Sequence, residues 1–394
     1  MTVAAPHRPT SDALDRLQKA AGIVGVVALV LCAVGWVVDA PQFFSSWLLG
    51  VVYWLGISIG CLALAMIHHL TGGTWGVPIR RVLEAAAGLL PFLALLFVPL
   101  LFGIEALYPW AREAAADDPV LAHKALYLNE PFFLARWAAY FVIWIGLAWW
   151  LRRLSDRQDR AADPRLTKRM QTIAAPGLVI WAFVTTFAYV DWLMSLEPHW
   201  FSTIYGVYFF GGSGMAAMAF LIVVAALLAK RAPFAGWLGR RHFHDWGKLL
   251  LAFVLLWTYF AFSQFLIIWS GNLPEEIVWY LHRMSHGWEW VGLALALLQF
   301  GVPFALLLSR DLKRNVRAIA GLALFVLFMR WVDHLWQIAP NFHEGVTVHW
   351  LDVAAPLAVG GLWLAGFVWL FKRRPAVPVH DPYLLESLGD EAHH

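Results

Sequence analysis

Residues 189–210 read YVDWLMSLEPHWFSTIYGVYFF, and they mark the point where one long apolar segment ends and the next begins. Asp191, Glu197 and His199 lie here, a few residues from apolar sequence on either side. A charge near bilayer depth costs at least about 2.5 kcal/mol unless it is paired or hydrated. The stretch therefore predicts a corner between two membrane helices whose ionisable groups need partners.

The corner belongs to an internal repeat. The pattern Val-Asp-x-Leu-x4-Pro occurs at 190–198 and again at 332–340, and Phe-Ser-Ser/Thr followed by Gly-Val-x-aromatic-aromatic-x-Gly occurs at 44–56 and 201–212. The Phe-Ser pattern lies at the start of the second and sixth apolar segments, and the Val-Asp pattern lies at the end of the fifth and ninth. This predicts two copies of a four-helix unit, helices 2–5 and 6–9, with two peripheral helices. An even number of helices per unit makes the copies parallel repeats; chance similarity between aromatic-rich segments is the alternative.

The composition places the chain in a membrane. Its 394 residues are 61% hydrophobic and only 14% charged, which is more apolar surface than a soluble domain buries. Segments long enough to cross about 30 Å of hydrocarbon as helix number ten. They lie near 20–39, 43–68, 82–107, 132–151, 172–195, 203–229, 247–270, 287–309, 317–338 and 350–371. The predicted fold class is therefore an all-α integral membrane protein with ten transmembrane helices.

Lysine and arginine set the orientation. The termini and the even-numbered loops hold 24 of these residues, whereas the odd-numbered loops hold 3. This bias predicts that both termini are cytoplasmic and that the number of spans is even. With the repeats, it divides the chain into an N-terminal tail and helix 1 (1–40), a first bundle (41–198), a second bundle (199–340), and helix 10 with a cytoplasmic tail (341–394).

The two cysteines both lie inside apolar segments, and no CxxC, CxxCH or Cys/His cluster occurs. We therefore expect no metal site, and no covalent haem c or iron–sulfur cluster bound by this chain alone. We also expect contact with membrane lipid and no nucleic-acid partner. The longest external loop, about 108–131, contains Glu113, Asp117 and Asp118 and is either a docking surface or a solvated loop.

Ionisable residues concentrate at the predicted external ends of the spans. On the ninth span Arg330, Asp333 and His334 share one helical face with Gln337. A second shared face is predicted on the eighth span, and it consists of His282, His286 and Glu289. We expect these faces to point into the bundle. They form either an internal salt-bridge network, such as Arg330 with Asp333, or a proton or ligand path together with Asp191, Glu197 and His199.

Polar residues nearer the middle of the membrane are candidates to extend such a path inward. They are Thr185, Thr186, Tyr259, Ser263, Gln264 and Gln299. Each hydroxyl alone is more often bonded to its own backbone. A haem b site would require His286 to face His334, and the charged neighbours of both histidines disfavour it. His68 and His69, at the inner end of the second span, are expected to face headgroups or loops.

Three strings carry a resemblance: DWLMSLEPHWFSTIYGVYFFGG from residue 191, HDWGKLLLAFVLLWTYFAFSQFLIIWSGNLPEE at 244–276, and HDPYLLESL near the end. They resemble the F subunit of bacterial alternative complex III, a quinol:cytochrome c oxidoreductase of the inner membrane, and its relatives, the polysulfide- and nitrite-reductase membrane anchors (NrfD-like proteins). The resemblance implies two four-helix bundles plus two helices. It also implies partner subunits: a sister NrfD-like C subunit, multihaem and monohaem cytochrome c subunits, and an iron–sulfur subunit.

Three functions remain open on these observations. The chain is a subunit of an electron-transfer complex that supplies a proton path or a quinone-side cavity in its outer half, with quinol as a possible ligand. Alternatively, it is a purely structural anchor for peripheral redox subunits. A secondary transporter is the third choice, and the lack of a Gly/Pro interruption near the centre of any span disfavours it.

Overall fold

A computed structural model describes residues 12–389, and over this range the chain is helical with no strand. Ten of the helices are long and apolar enough to cross a membrane, which agrees with the predicted number. The fold is therefore that of a multi-pass helical membrane protein. Residues 1–11 and 390–394, which belong to the predicted terminal segments 1–40 and 341–394, lie outside the described residues.

The ten long helices are called spans 1 to 10 below. They run Asp12–Val38, Ala40–Thr71, Val77–Leu101, Glu130–Arg160, Pro164–Trp192, Tyr205–Leu228, Arg240–Gly271, Trp288–Leu308, Val316–Ile338 and Trp350–Lys372. Shorter α-helices occupy Ile104–Leu107, Pro119–Lys124, Pro274–Arg283, Arg310–Arg314 and Leu384–Gly389.

Polar side chains and prolines fix several of the span boundaries. Asp39, Asn129 and Asp163 each accept a hydrogen bond from a backbone N–H in the first turn of spans 2, 4 and 5, and each of these spans has proline in its first two positions. Such caps satisfy N–H groups that have no partner within the helix, and proline loses nothing there because its missing N–H is one of them.

Spans 1, 4, 5 and 7 are longer than predicted, and span 3 is shifted toward the N-terminus. Span 3 begins at Val77 and ends at Leu101, so Arg80 and Arg81 lie inside it and not in the preceding loop. Before span 8 the chain forms the separate helix Pro274–Arg283 and then reverses, because His286 and Gly287 both adopt positive φ angles of 54° and 97°. A residue in that conformation ends regular helix, so span 8 starts at Trp288, next to the predicted start at 287, and is separate from the helix that contains His282.

Spans 2 and 6 lie at the centre of the molecule. The most apolar 18-residue window is 94% buried in span 2 and 78% buried in span 6, against 22% in spans 7 and 8. The two central helices approach closely at Gly60, where an added Cβ would lie 2.2 Å from the Ser213 carbonyl oxygen. Only glycine permits this approach. Span 1 packs mainly on span 10, which also packs on span 2.

Candidate functional site

A fully buried carboxylate, Asp333, lies near the predicted external end of span 9. Its Oδ2 accepts hydrogen bonds from Arg330 Nη1 and, at 3.4 Å, from Gln299 Nε2, while Oδ1 accepts from the Tyr208 hydroxyl. Arg330 is one turn earlier on the same span, Tyr208 is on span 6 and Gln299 is on span 8. One carboxylate therefore joins three spans.

The hydrogen bonds continue from Tyr208 toward the predicted external surface. Gln337 Nε2 donates to the Tyr208 hydroxyl at 3.2 Å, and the Tyr205 hydroxyl donates to Gln337 Oε1 at 3.1 Å. Arg283 Nη2 donates to the backbone oxygen of Gln337 at 2.9 Å. The side chain of Gln337 is thus hydrogen-bonded to Tyr205 and Tyr208, and its backbone oxygen is hydrogen-bonded to Arg283.

Arg283 links this set to Glu197. Its Nη1 donates to Glu197 Oε2 at 3.0 Å, and its guanidinium lies 3.9 Å from the centre of the Trp279 ring. Arg283 lies outside the spans, and burial lowers its pKa. The Glu197 side chain is 18% exposed whereas that of Arg283 is 1% exposed. We call this set the Asp333–Glu197 chain; its members are Asp333, Tyr208, Gln337, Tyr205, Arg283 and Glu197.

His334 lies beside this chain on span 9. Its Nδ1 donates to the Arg330 carbonyl oxygen at 2.7 Å, and its ring contacts the rings of Tyr53 and Phe209 edge-on, with centroids 5.9 and 5.7 Å away. The other ring nitrogen, Nε2, is buried and has no hydrogen-bond partner among the described residues. His334 therefore retains one ring nitrogen for a further partner.

Other buried polar atoms around Asp333 also have no partner within residues 12–389. They are Arg330 Nε and Gln299 Oε1. An unsatisfied buried polar group costs about 1–3 kcal/mol, so these two atoms favour a further hydrogen-bond partner at this position. The close approach of Arg330 to span 6 depends on Gly212, where an added Cβ would lie 2.4 Å from Arg330 Nη2.

Asp191 forms a separate site at the end of span 5. Arg136 donates to both carboxylate oxygens, at 2.7 and 3.2 Å, and the Tyr140 hydroxyl donates at 2.6 Å. Arg136 also donates to the Tyr127 carbonyl oxygen and stacks between the Tyr127 and Phe132 rings. Asp191 therefore does not share the Asp333 network, and Arg136 and Tyr140, which donate to its carboxylate, both lie on span 4.

His199 pairs with Asp118 and not with Asp191 or Asp333. Its Nε2 lies 2.6 Å from Asp118 Oδ2, and both side chains are at the surface. This hydrogen bond lowers the pKa of Asp118 below its usual value. Lys124 donates to the Pro198 carbonyl oxygen at 2.6 Å. The 108–131 loop, which was expected to be either a docking surface or a solvated loop, is thus attached to Pro198 and His199 of its own chain.

The predicted face of His282, His286 and Glu289 is wrong, because these residues do not lie on one helix. His282 belongs to the helix Pro274–Arg283 and lies 3.7 Å from Glu197, whereas His286 sits in the reversal before span 8. His286 and Glu289 are exposed, and Glu289 only accepts from the Gly287 N–H. His286 therefore does not face His334 inside the bundle as a haem b pair would require.

The six polar residues predicted to extend a path inward do not form one connected set among the described residues. Gln299 joins Asp333, while the Thr186 hydroxyl bonds to the Ala182 carbonyl of its own helix. Gln264 accepts from Ser202 and donates to Tyr280. Tyr259 is 64% exposed on the lipid-facing surface, and Ser263 is half-buried one turn later. Thr185 is buried, and its hydroxyl has no hydrogen-bond partner among the described residues.

A second buried charge cluster, at the predicted cytoplasmic end, was missed by sequence analysis. Glu84 accepts from Arg80, Arg81 and Arg374 at 3.1, 2.6 and 2.7 Å, and from Ser155 at 2.6 Å. Burial lowers the pKa of Arg374 to about 10. The Arg-Arg-x-x-Glu spacing at 80–84 was a usable signal, since i,i+3 and i,i+4 pairs share a helix face.

The C-terminal tail completes this cytoplasmic cluster. Asp381 accepts from Arg80 at 2.6 Å, and Ser387 accepts from Trp237 in the loop after span 6. His68 and His69 were expected to face headgroups or loops, but both are buried in the protein at 2% and 7% exposure. The tail therefore packs across the end of its own chain.

Among residues 12–389 no group of three or more His, Cys, Asp or Glu side chains is arranged to hold a metal ion. No protein-family model matches the chain, and no curated protein matches it.

Proposed function

We propose that this chain is a membrane subunit of a respiratory quinol:electron-acceptor oxidoreductase of the alternative complex III type, and that it supplies a proton path in its outer half. The three strings that resemble the F subunit support the complex. Partner subunits would hold the haem c and iron–sulfur centres. The observation that carries the proton path is the Asp333–Glu197 chain, which runs from a fully buried carboxylate to a partly exposed one.

The proposal includes an arrangement and a location. Spans 2–5 and 6–9 are two parallel four-helix units with spans 1 and 10 added, and the protein lies in the bacterial cytoplasmic membrane with both termini inside. The contact of span 1 with span 10 supports the arrangement, as does the close contact of spans 2 and 6, which the repeated patterns make equivalent. The 24 to 3 distribution of lysine and arginine supports the orientation.

Along the proposed path the groups that can carry a proton are the carboxylates Asp333 and Glu197 and the hydroxyls of Tyr208 and Tyr205. Gln337 and Arg283 hold these carriers in place through their hydrogen bonds. Carboxylates inside membrane spans commonly mark proton relays or ion paths. Glu197 would exchange the proton with the external side, assisted by His282.

A second candidate role for the same region is the side wall of a quinone site. His334 Nε2 has no partner among the described residues and lies between two aromatic rings. A quinol hydroxyl donates to such a nitrogen, and its ring packs on aromatic side chains. Aromatic rings together with one free acceptor are the specific features that favour this role.

The test uses native membranes that contain the assembled protein. Asp333→Asn is expected to lower quinol oxidation and its associated proton movement by at least about tenfold, since positioned acid–base groups contribute about 10²–10⁴. Asp191→Asn is the matched control, because Asp191 has the same place in the repeated pattern but is not part of the Asp333–Glu197 chain. Quinol oxidation and proton movement should both remain in this variant. Unchanged activities in an intact Asp333→Asn complex would leave only a scaffold role.

Purification in mild detergent tests membership of a complex. Subunits that contain haem c are expected to purify with the chain. A stable protein that purifies alone would contradict the proposal and favour a transporter.

A further inference from the structure

A cleft of about 920 Å³ opens at the predicted cytoplasmic end, between the end of span 6 and the start of span 9. Five basic residues surround it: Lys230, Arg231, Arg240, Arg314 and Arg317. The cleft has one acidic residue, Asp311, in its lining. This cleft lies at the opposite end of the molecule from Glu197, and the proposed proton path does not use it.

Within the part of the chain that the structure describes, the five cationic side chains have no carboxylate partners. None of them forms an ion pair within residues 12–389, and none is part of the Glu84 cluster. Like charges that face one cleft repel each other, so the local potential is strongly positive and favours an anion. The N-terminal end of span 9 also lines the cleft at Val316 and Arg317, and its helix dipole adds positive potential.

The rest of the lining is apolar and continues onto the lipid-facing surface. Val223, Ala226, Leu227, Ala320 and Leu324 form this part of the wall. Leu227 and Leu324 are 52% and 55% exposed, which is the exposure of side chains that contact hydrocarbon in a membrane protein. One side of the cleft therefore suits a charged headgroup and the other suits acyl chains.

We propose that this cleft binds an anionic phospholipid, with the phosphate among the five basic side chains and the acyl chains along spans 6 and 9. Basic pockets between membrane helices on the cytoplasmic side recognise anionic headgroups in this way. A free phosphate would bind only to the basic side chains and would bury no apolar surface against Leu227 and Leu324. The amphipathic lining thus selects the lipid over the soluble anion.

The test uses the full chain purified in mild detergent, with native mass spectrometry to count bound lipid as phosphatidylglycerol is added. The wild-type protein is expected to retain phosphatidylglycerol in preference to phosphatidylcholine. Arg240→Gln combined with Arg317→Gln should weaken phosphatidylglycerol binding by at least about tenfold, because each removes one charge from the phosphate site. Arg165→Gln combined with Lys168→Gln is the matched control, since these exposed residues at the same end lie outside the cleft.

A second variant protects the test against misfolding of the charge variant. Ala320→Leu keeps every charge but narrows the apolar half of the cleft, so it should also weaken binding of phosphatidylglycerol. Equal loss in the cleft and control variants would show non-specific attraction and overturn the proposal. Full competition by inorganic phosphate would overturn it in favour of a soluble anion. Loss of a partner subunit, with no loss of lipid, would assign the cleft to a protein contact.

Discussion

Asp191 and Asp333 occupy equivalent places in the repeated Val-Asp-x-Leu-x4-Pro pattern, yet they have different surroundings. Asp191 forms a bidentate pair with Arg136 and a further bond with Tyr140, and Arg136 is packed between rings. Asp333 is bonded to Arg330 on its own helix and opens into a chain that leads to Glu197.

The two sites differ in the number of buried donor and acceptor atoms next to the carboxylate that have no hydrogen-bond partner. Around Asp333, Arg330 Nε and Gln299 Oε1 are buried without partners among the described residues, whereas every polar atom of the Asp191–Arg136 pair has one. A saturated pair locks two helices together, while an unsaturated one can accept another group. The Asp191 site is therefore suited to holding two helices together, and the Asp333 site retains capacity for another group.

The largest expected effect is that of Asp333→Asn on stability. It leaves the Arg330 guanidinium buried and unpaired, which costs about 3–5 kcal/mol. A thermal unfolding series in detergent should show the loss. Replacing both partners, with Arg330→Met and Asp333→Leu together, should recover most of it, because the uncompensated charge is then gone. A double variant no more stable than Asp333→Asn would contradict the assigned ion pair.

Asp191→Asn should destabilise less, by about 2 kcal/mol. Arg136 keeps its bond to the Tyr127 carbonyl and its two ring contacts, and its side chain is 10% exposed. The same unfolding series measures this. If Asp191→Asn were as damaging as Asp333→Asn, the contrast between the two sites would fail.

Tyr208→Phe and Tyr140→Phe form the next pair, since each removes one hydroxyl bond to one of the two carboxylates. We expect each to cost about 1.5 kcal/mol in stability. Only Tyr208→Phe should slow proton movement, because only Tyr208 lies on the chain to Glu197. Equal rates in the two variants, measured in native membranes, would place the path elsewhere.

The smallest effect belongs to the surface pair of Asp118 and His199. The hydrogen bond lowers the pKa of Asp118 in the folded protein, so its stabilisation is present above the usual aspartate pKa of about 3.9 and is lost as pH falls through the lowered value. Proteolytic cleavage of the 108–131 loop, measured with an acid-active protease, should increase in that acidic window. Asp118→Asn should already be cleaved faster at pH 6, while Asp117→Asn is the control that should behave as wild type.

The sequence predicted the helical class, the ten spans and the burial of Arg330, Asp333, His334 and Gln337, because the 3.6-residue period places these four on one face. It could not predict the reversal at His286 and Gly287, since a positive φ at a histidine has no signal in the local pattern. For the same reason it wrongly put His286 and Glu289 inside the bundle.

Other parts of the site required contacts between distant segments. Arg283 reaches Glu197 and Gln337 over 86 and 54 residues, and Arg80 meets Asp381 over 301. Such pairings depend on how whole helices pack, and residue spacing within one segment does not predict them.

Composition and period by themselves determined that this chain lies in a membrane as ten apolar helices with charged faces turned inward, since hydrocarbon excludes unpaired charge and strands with open edges. Only the tertiary structure decided which charges meet. Two aspartates with the same local sequence differ because the helices that pack against them bring Arg136 and Tyr140 to one, and Tyr208 and Gln299 to the other.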